Sequence, residues 1–204
     1  MTHRRPQIVA AAFNPPTDAI GAGRRRAALR IRRAGLVAFF ALLSFVTSPA
    51  TTSAQSRIAQ LSGLERSIVA RVNALRARHG LVPLRHSAGL TAAARHHSRE
   101  MASRGYFGHR SPDGGAFDRR IARFYSQDAH RYWSVGENLL WASGEMHSAK
   151  EAVDTWLRST KHRAIMLQAH WRQLGVGAVL AYAAPGVYRG ADVTILTADF
   201  GVRR

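Results

Sequence analysis

The hydrophobic pattern changes period once along this chain, and that change limits the folds open to it. Across residues 57–79, apolar side chains recur at Ile58, Leu61, Leu64, Ile68, Val72 and Leu75, the spacing of a helix that buries one face. Gly80 supplies a stop. Pro83 forces an extended link by pushing Val82 out of the helical region. Ser87 caps a second helix running to about residue 104, with Leu90, Ala94, His97 and Met101 on one face, small alanines that permit close packing, and Gly105 after it as a stop. Residues 109–115 form a loop dense in turn residues, residues 117–124 a short helix, residues 148–157 a helix and residues 162–167 a further short one. Beyond them the period falls to that of strands. Residues 174–182 and 193–200 are β-rich runs separated by Pro185-Gly186 and Arg189-Gly190, so two antiparallel strands are expected. Helices early and strands late predict an α+β domain with helices packed on a small antiparallel sheet.

The N-terminal region is of another kind. Residues 1–33 hold eight arginines against one acid, Asp18, and read as an unfolded basic lead-in. Residues 34–46 are an apolar stretch followed by small polar residues, the layout of a secretory signal peptide. Cleavage is expected after Ala50 or Ala54, with Ala54 preferred, so the boundary lies between a leader at 1–54 and a single domain at 55–204. A membrane anchor is the weaker alternative, because spanning takes about 20 mostly apolar residues. Export permits disulfides, yet the chain has no cysteine. Its stability must come from an apolar core, and a domain of about 150 residues can bury about 70% of its unfolded surface. Of the net charge of +18, the first 33 residues carry +7 and the remainder +11. Such a domain is drawn to polyanions, and for a secreted or envelope protein those are anionic lipids and cell-wall polymers rather than nucleic acid.

The chemistry is less local. His109, Glu137 and His162 are separated by 27 and 24 residues, so only a fold can bring them together. If they meet, two imidazoles and a carboxylate make a Zn²⁺ ligand set with a position left for water. The alternative is a solvated His109, a Glu137 that anchors a turn and a His162 packed beside Trp156. His97 lies on the apolar stripe of its helix and is expected to be a hydrogen-bonded core histidine. His96 with Glu100 has the i, i+4 spacing of a helical ligand pair, and His147 with Glu151 repeats it near a helix start, where a solvated salt bridge is the ordinary explanation. Arg119, Arg120 and Arg123 read as a solvated face. Serine-elbow, thiol and His-Glu-x-x-His chemistries are excluded by absent motifs. Gly175-Val176-Gly177 lacks the third glycine of a dinucleotide fingerprint and reads as close-packed strand glycines.

Several segments in order resemble one family. Val72-Asn73-Ala74-Leu75-Arg76 with His79-Gly80-Leu81, Tyr106-Phe107-Gly108-His109 with Ser111-Pro112-Asp113-Gly114, Gly136-Glu137-Asn138-Leu139, and Trp156-Leu157-Arg158-Ser159 before His162-Arg163 are similar to the CAP superfamily. That superfamily comprises cysteine-rich secretory proteins, antigen 5 and plant pathogenesis-related proteins, and the likeness is to its cysteine-free bacterial form. The resemblance covers about Leu64 to Gly201. It implies an α-β-α sandwich whose cleft is lined by His109, Glu137 and His162. Animal members add a second glutamate to complete a metal-binding tetrad, and the matching position here is Ser159. The function expected is an exported module whose cleft binds a lipid or cell-wall fragment, with room for Zn²⁺ or another divalent cation. The competing expectation is a metal-assisted, protease-like hydrolase with His109 and His162 as ligands and Glu137 as ligand or general base.

Overall fold

A computed structural model describes residues 8–13, 49–128, 130–146 and 148–204. The apolar stretch at 34–46 expected as an export signal, and His147, lie outside the described residues. The elements are β1 (Ile8–Phe13), α1 (Pro49–Arg78), β2 (Arg85–His86), α2 (Ala88–Arg104), α3 (Phe117–Ala122), β3 (Trp133–Ser143), α4 (Ala149–Arg158), α5 (Thr160–Met166), β4 (Gln173–Ala184), a 3₁₀ turn (Gly186–Tyr188) and β5 (Ala191–Arg203).

The sheet order is β1-β3-β5-β4-β2. Its centre, β3-β5-β4, is antiparallel, while β1 joins β3 and β2 joins β4 in parallel. Two strands were expected, and both are present in slightly longer form. The third long strand, β3, was not expected. Its pattern hid it: Ser134, Gly136, Glu137 and Asn138 interrupt the apolar run, yet nine consecutive residues from Trp133 are buried because both faces are covered. A doubly covered strand shows no alternation to read. The strand Ile8–Phe13 lies within the segment expected to be a featureless lead-in, and α1 begins at Pro49, so Ala50 and Ala54 fall inside its first turns.

Helices occupy both faces of the sheet. On one side Leu64, Ile68, Val72 and Leu75 of α1 pack with Val153, Trp156 and Ile165 of α4 and α5 against Leu174, Val176, Leu196 and Phe200. On the other, Leu90, Ala93 and Met101 of α2, with Phe117 and Ile121 of α3, cover Val135, Leu139, Trp141, Val193 and Ile195. Alternate residues of β3 and β5 thus feed different layers, as the pleat requires. The caps form as the sequence implied. Ser87 accepts the amide of Leu90, and Gly105 takes the left-handed conformation that closes α2.

Close approach of α2 to β4 sets the depth of that second layer. A Cβ on Gly175 would fall 2.1 Å from the Thr91 nitrogen, and one on Gly177 2.2 Å from the Arg95 nitrogen. The strand glycines are therefore packing residues, as their isolated spacing suggested. Gly177→Ala is expected to destabilise the protein by about 1–3 kcal/mol through forced separation of helix and sheet. Gly108→Ala, where an added Cβ meets nothing within 4 Å, serves as the control, with urea unfolding as the measurement.

Candidate functional site

Glu137 is fully buried in the middle of β3 and points toward α2 and α3. An ionised carboxylate in that position needs opposite charge and donors, and three residues supply them. Arg120 of α3 donates through Nη2 to Oε2. His109, from the loop after α2, places Nδ1 2.7 Å from Oε1. His97 of α2 brings Nε2 to 4.0 Å from Oε2. Arg120 also donates from Nη1 to the carbonyl of His109 at 3.0 Å, so one guanidinium fixes both the carboxylate and the loop that carries the imidazole. Burial works against the Glu137 charge, but His97, Arg120 and His109 outweigh it and hold the carboxyl at about 2.

The loop has its own anchor in Glu100. That side chain accepts from Tyr106 Oη at 2.7 Å, Ser111 Oγ at 2.8 Å and Arg104 Nη1 at 3.0 Å. His97 donates from Nε2 to the carbonyl of Gly108 at 3.0 Å, one residue before His109. The expected core histidine is thus buried and hydrogen bonded, and it also braces the site. His96, its neighbour, packs its ring 5.4 Å from that of Phe124, while Glu100 spends its oxygens on the loop.

A second carboxyl lies across the sheet. The register pairs Asp199 directly with Glu137; both are fully buried, and a side-chain hydrogen bond to Glu137 is among the influences that keep the Asp199 proton in place. Burial, reinforced by the Glu137 charge, raises Asp199 well above the usual carboxylate range, so it is neutral beside an ionised neighbour. Two buried atoms near Glu137, His109 Nε2 and Arg120 Nε, lack partners.

Of the three residues expected to converge, the fold brings His109 and Glu137 into contact. His162 is joined to the next residue of β3 instead: Asn138 Nδ2 donates to the His162 carbonyl at 3.1 Å. Consecutive residues on a strand point to opposite faces. Glu137 serves the α2 and α3 layer, and Asn138 reaches α5. His162 itself is 2% exposed. Among the described residues no three His, Asp or Glu side chains are grouped so as to hold a metal ion, and the cation seated on Glu137 is a guanidinium. The donor set therefore does not fit a dication in this arrangement, and no step is derived through one.

Sequence reasoning missed Arg120 and Asp199. Arg120 was expected on a solvated face but is 3% exposed. The signal was there, because it occupies the i+3 position between Phe117 and Ile121 on the buried stripe of α3. Asp199 follows Val193, Ile195 and Thr197 on one face of β5, an acid in a series of buried positions.

A small antiparallel sheet between two helical layers, with a buried glutamate held by a histidine loop, defines an SCP-like α-β-α sandwich. The model of the Cysteine-rich secretory protein family matches residues 69–196, and the chain belongs to that family. The uncharacterised YkwD protein of Bacillus subtilis is 35% identical over 130 residues, 63% of this chain and 46% of that protein. An extracellular SCP-domain protein of Bacillus anthracis aligns with a TM-score of 0.54 at 27% identity, covering 70% of this chain and 41% of that one. An outer surface protein of Borrelia burgdorferi shares the fold, with a TM-score of 0.50 and 17% identity over 67% of this chain and 90% of that one. The chain spans less than half the length of the first two.

Two outcomes follow from the geometry. Removing Arg120 alone, as Arg120→Met, is expected to cost about 3–5 kcal/mol by stranding the Glu137 charge. Adding Glu137→Gln should recover part of that loss in a double-mutant cycle of urea unfolding. The second concerns pH. Burial lowers His97 from 6.5 to about 4, so the unfolded chain takes up a proton that the folded protein refuses. The stability of neutral His97 is complete above pH 6.5 and is lost as pH falls toward 4. His97→Gln should flatten the dependence of the unfolding midpoint across that window.

Proposed function

We propose that this is an exported protein whose cleft beside Glu137 binds an envelope or extracellular ligand, a lipid or a cell-wall fragment. The observation that carries the reading is the pair of buried polar atoms left without partners around an otherwise saturated charge network: His109 Nε2 and Arg120 Nε. Buried polar groups in native proteins are nearly always hydrogen bonded, and such a concentration at one place is what a site leaves for its ligand. An open groove of about 690 Å³ between α2 and β4, lined by Val179, Ala181, Tyr182, Ala184 and Pro185, adjoins through Glu100 and supplies apolar wall. Among the described residues no helix is long and apolar enough to cross a membrane. The extracellular description of the Bacillus anthracis relative and the signal-like sequence at 34–46 support export.

One observation favours a second reading, hydrolysis. With Nδ1 donating to Glu137, His109 keeps its Nε2 lone pair, the arrangement in which a carboxylate orients a histidine base. Glu137, held at about 2, would orient that base and not act as one, and water would be the nucleophile.

Native mass spectrometry of the protein incubated with extracted envelope lipids, and separately with solubilised wall fragments, tests both. A discrete bound mass that is at least about tenfold less populated in His109→Ala is the expected result. A bound or released ligand of unchanged mass supports recognition, whereas shortened products lost in Glu137→Gln would support hydrolysis. No bound mass from either extract overturns the proposal.

A further inference from the structure

A second cleft, of about 330 Å³, opens between α2, the Ser111–Ala116 turn and α3. Three arginines of α3 and its C-cap line it: Arg119, Arg120 and Arg123, with His96 from α2. They are not equivalent. Arg120 is buried and has committed Nη1 and Nη2 to His109 and Glu137, leaving its shielded Nε unpartnered. The side chains of Arg119 and Arg123 have neither a hydrogen-bond nor an ion-pair partner among the described residues.

The cleft also has two acids, and their commitments decide its character. Glu100 is saturated by Tyr106, Ser111 and Arg104 and is held down to about 2 against the cost of burial. Asp113 accepts the amide of Gly115 through Oδ1 at 2.9 Å. Neither reaches the two free guanidinium groups. Arginines without carboxylate partners, gathered on one wall beside a buried third, make a concave cationic surface matched to the planar, bidentate geometry of an oxyanion.

We propose that this cleft is an anion subsite in which Arg119 and Arg123 hold a phosphate group of the ligand. The inference rests on the ligand-binding reading given above and narrows its chemistry. Two sources carry such a group: the headgroup of an amphiphile and the phosphodiester backbone of a wall polymer. The 690 Å³ groove shares His96 and Glu100 with the cationic cleft. A phosphate gripped by Arg119 and Arg123 can therefore extend an apolar tail along Val179, Ala181 and Tyr182, the last 46% exposed, without leaving the surface.

Isothermal calorimetry of the full chain with octyl phosphate, glycerol phosphate, inorganic phosphate and uncharged octyl glucoside tests the assignment. The same titrations are run on Arg119→Gln/Arg123→Gln, whose altered side chains make no hydrogen bond or ion pair with other described residues. Binding of at least one phosphate compound, weakened about tenfold or more in the variant and by added salt, is expected. Octyl phosphate binding well above glycerol phosphate assigns an amphiphile, and equal binding of the two assigns a wall polymer. Octyl phosphate and octyl glucoside binding alike, phosphate binding unchanged in the variant, or no phosphate binding at all overturns the subsite. Those results leave the broader reading standing if envelope extracts still yield a bound mass, so the two fail separately.

Discussion

Everything around the cleft follows from one carboxylate placed where water cannot reach it. Glu137 lies in the middle of a strand whose two faces are covered by helices. In that environment its charge is tolerable only with a cation and donors in direct contact. Arg120 fixes the position of α3, and the same guanidinium, through the His109 carbonyl, fixes the loop. His97 and Glu100 brace that loop from α2. The helix, the loop and the strand are mutually located by polar bonds, while the apolar layers supply the bulk of the burial.

That arrangement separates two roles that a single histidine-glutamate motif could have merged. Glu137 is too strongly stabilised as an anion to exchange protons near neutral pH, and the buried Nε2 of His109 is left without a hydrogen-bond partner. Asp199, neutral and facing Glu137, keeps a second negative charge out of the same volume. The free cations are on the neighbouring wall, on Arg119 and Arg123. The protein thus presents a cationic and hydrogen-bonding surface above a buried anion that the solvent does not see.

Much of this was legible beforehand, for identifiable reasons. Helical spacing at Leu64, Ile68 and Val72, the Ser87 cap, the Gly105 terminator and the two late strands are local signals, and each formed as its residues dictate. The contact between His109 and Glu137 was legible through likeness to a family and not through spacing. β3 was illegible because covering both faces erases the alternation that marks a strand, and because its polar centre mimics a turn. Arg120 was masked by composition, since arginines on a basic chain read as solvated unless their helical position is examined. The bond of the His162 carbonyl to Asn138, next to Glu137 on the strand, depends on strand parity, which cannot be applied until the strand itself is known.

Strand parity also carries an implication for how this sequence can vary. Glu137 must face Arg120 and His109, and Asn138 must face α5. Gain or loss of a single residue within Trp133–Ser143 would exchange the two faces, driving the carboxylate into the layer of Trp156 and Ile165 and leaving Arg120 without a counter-ion. Insertions and deletions are therefore confined to the loops flanking this strand. Descendants of this chain can vary the loop and α3 around the cleft, but they inherit the length of β3 unchanged.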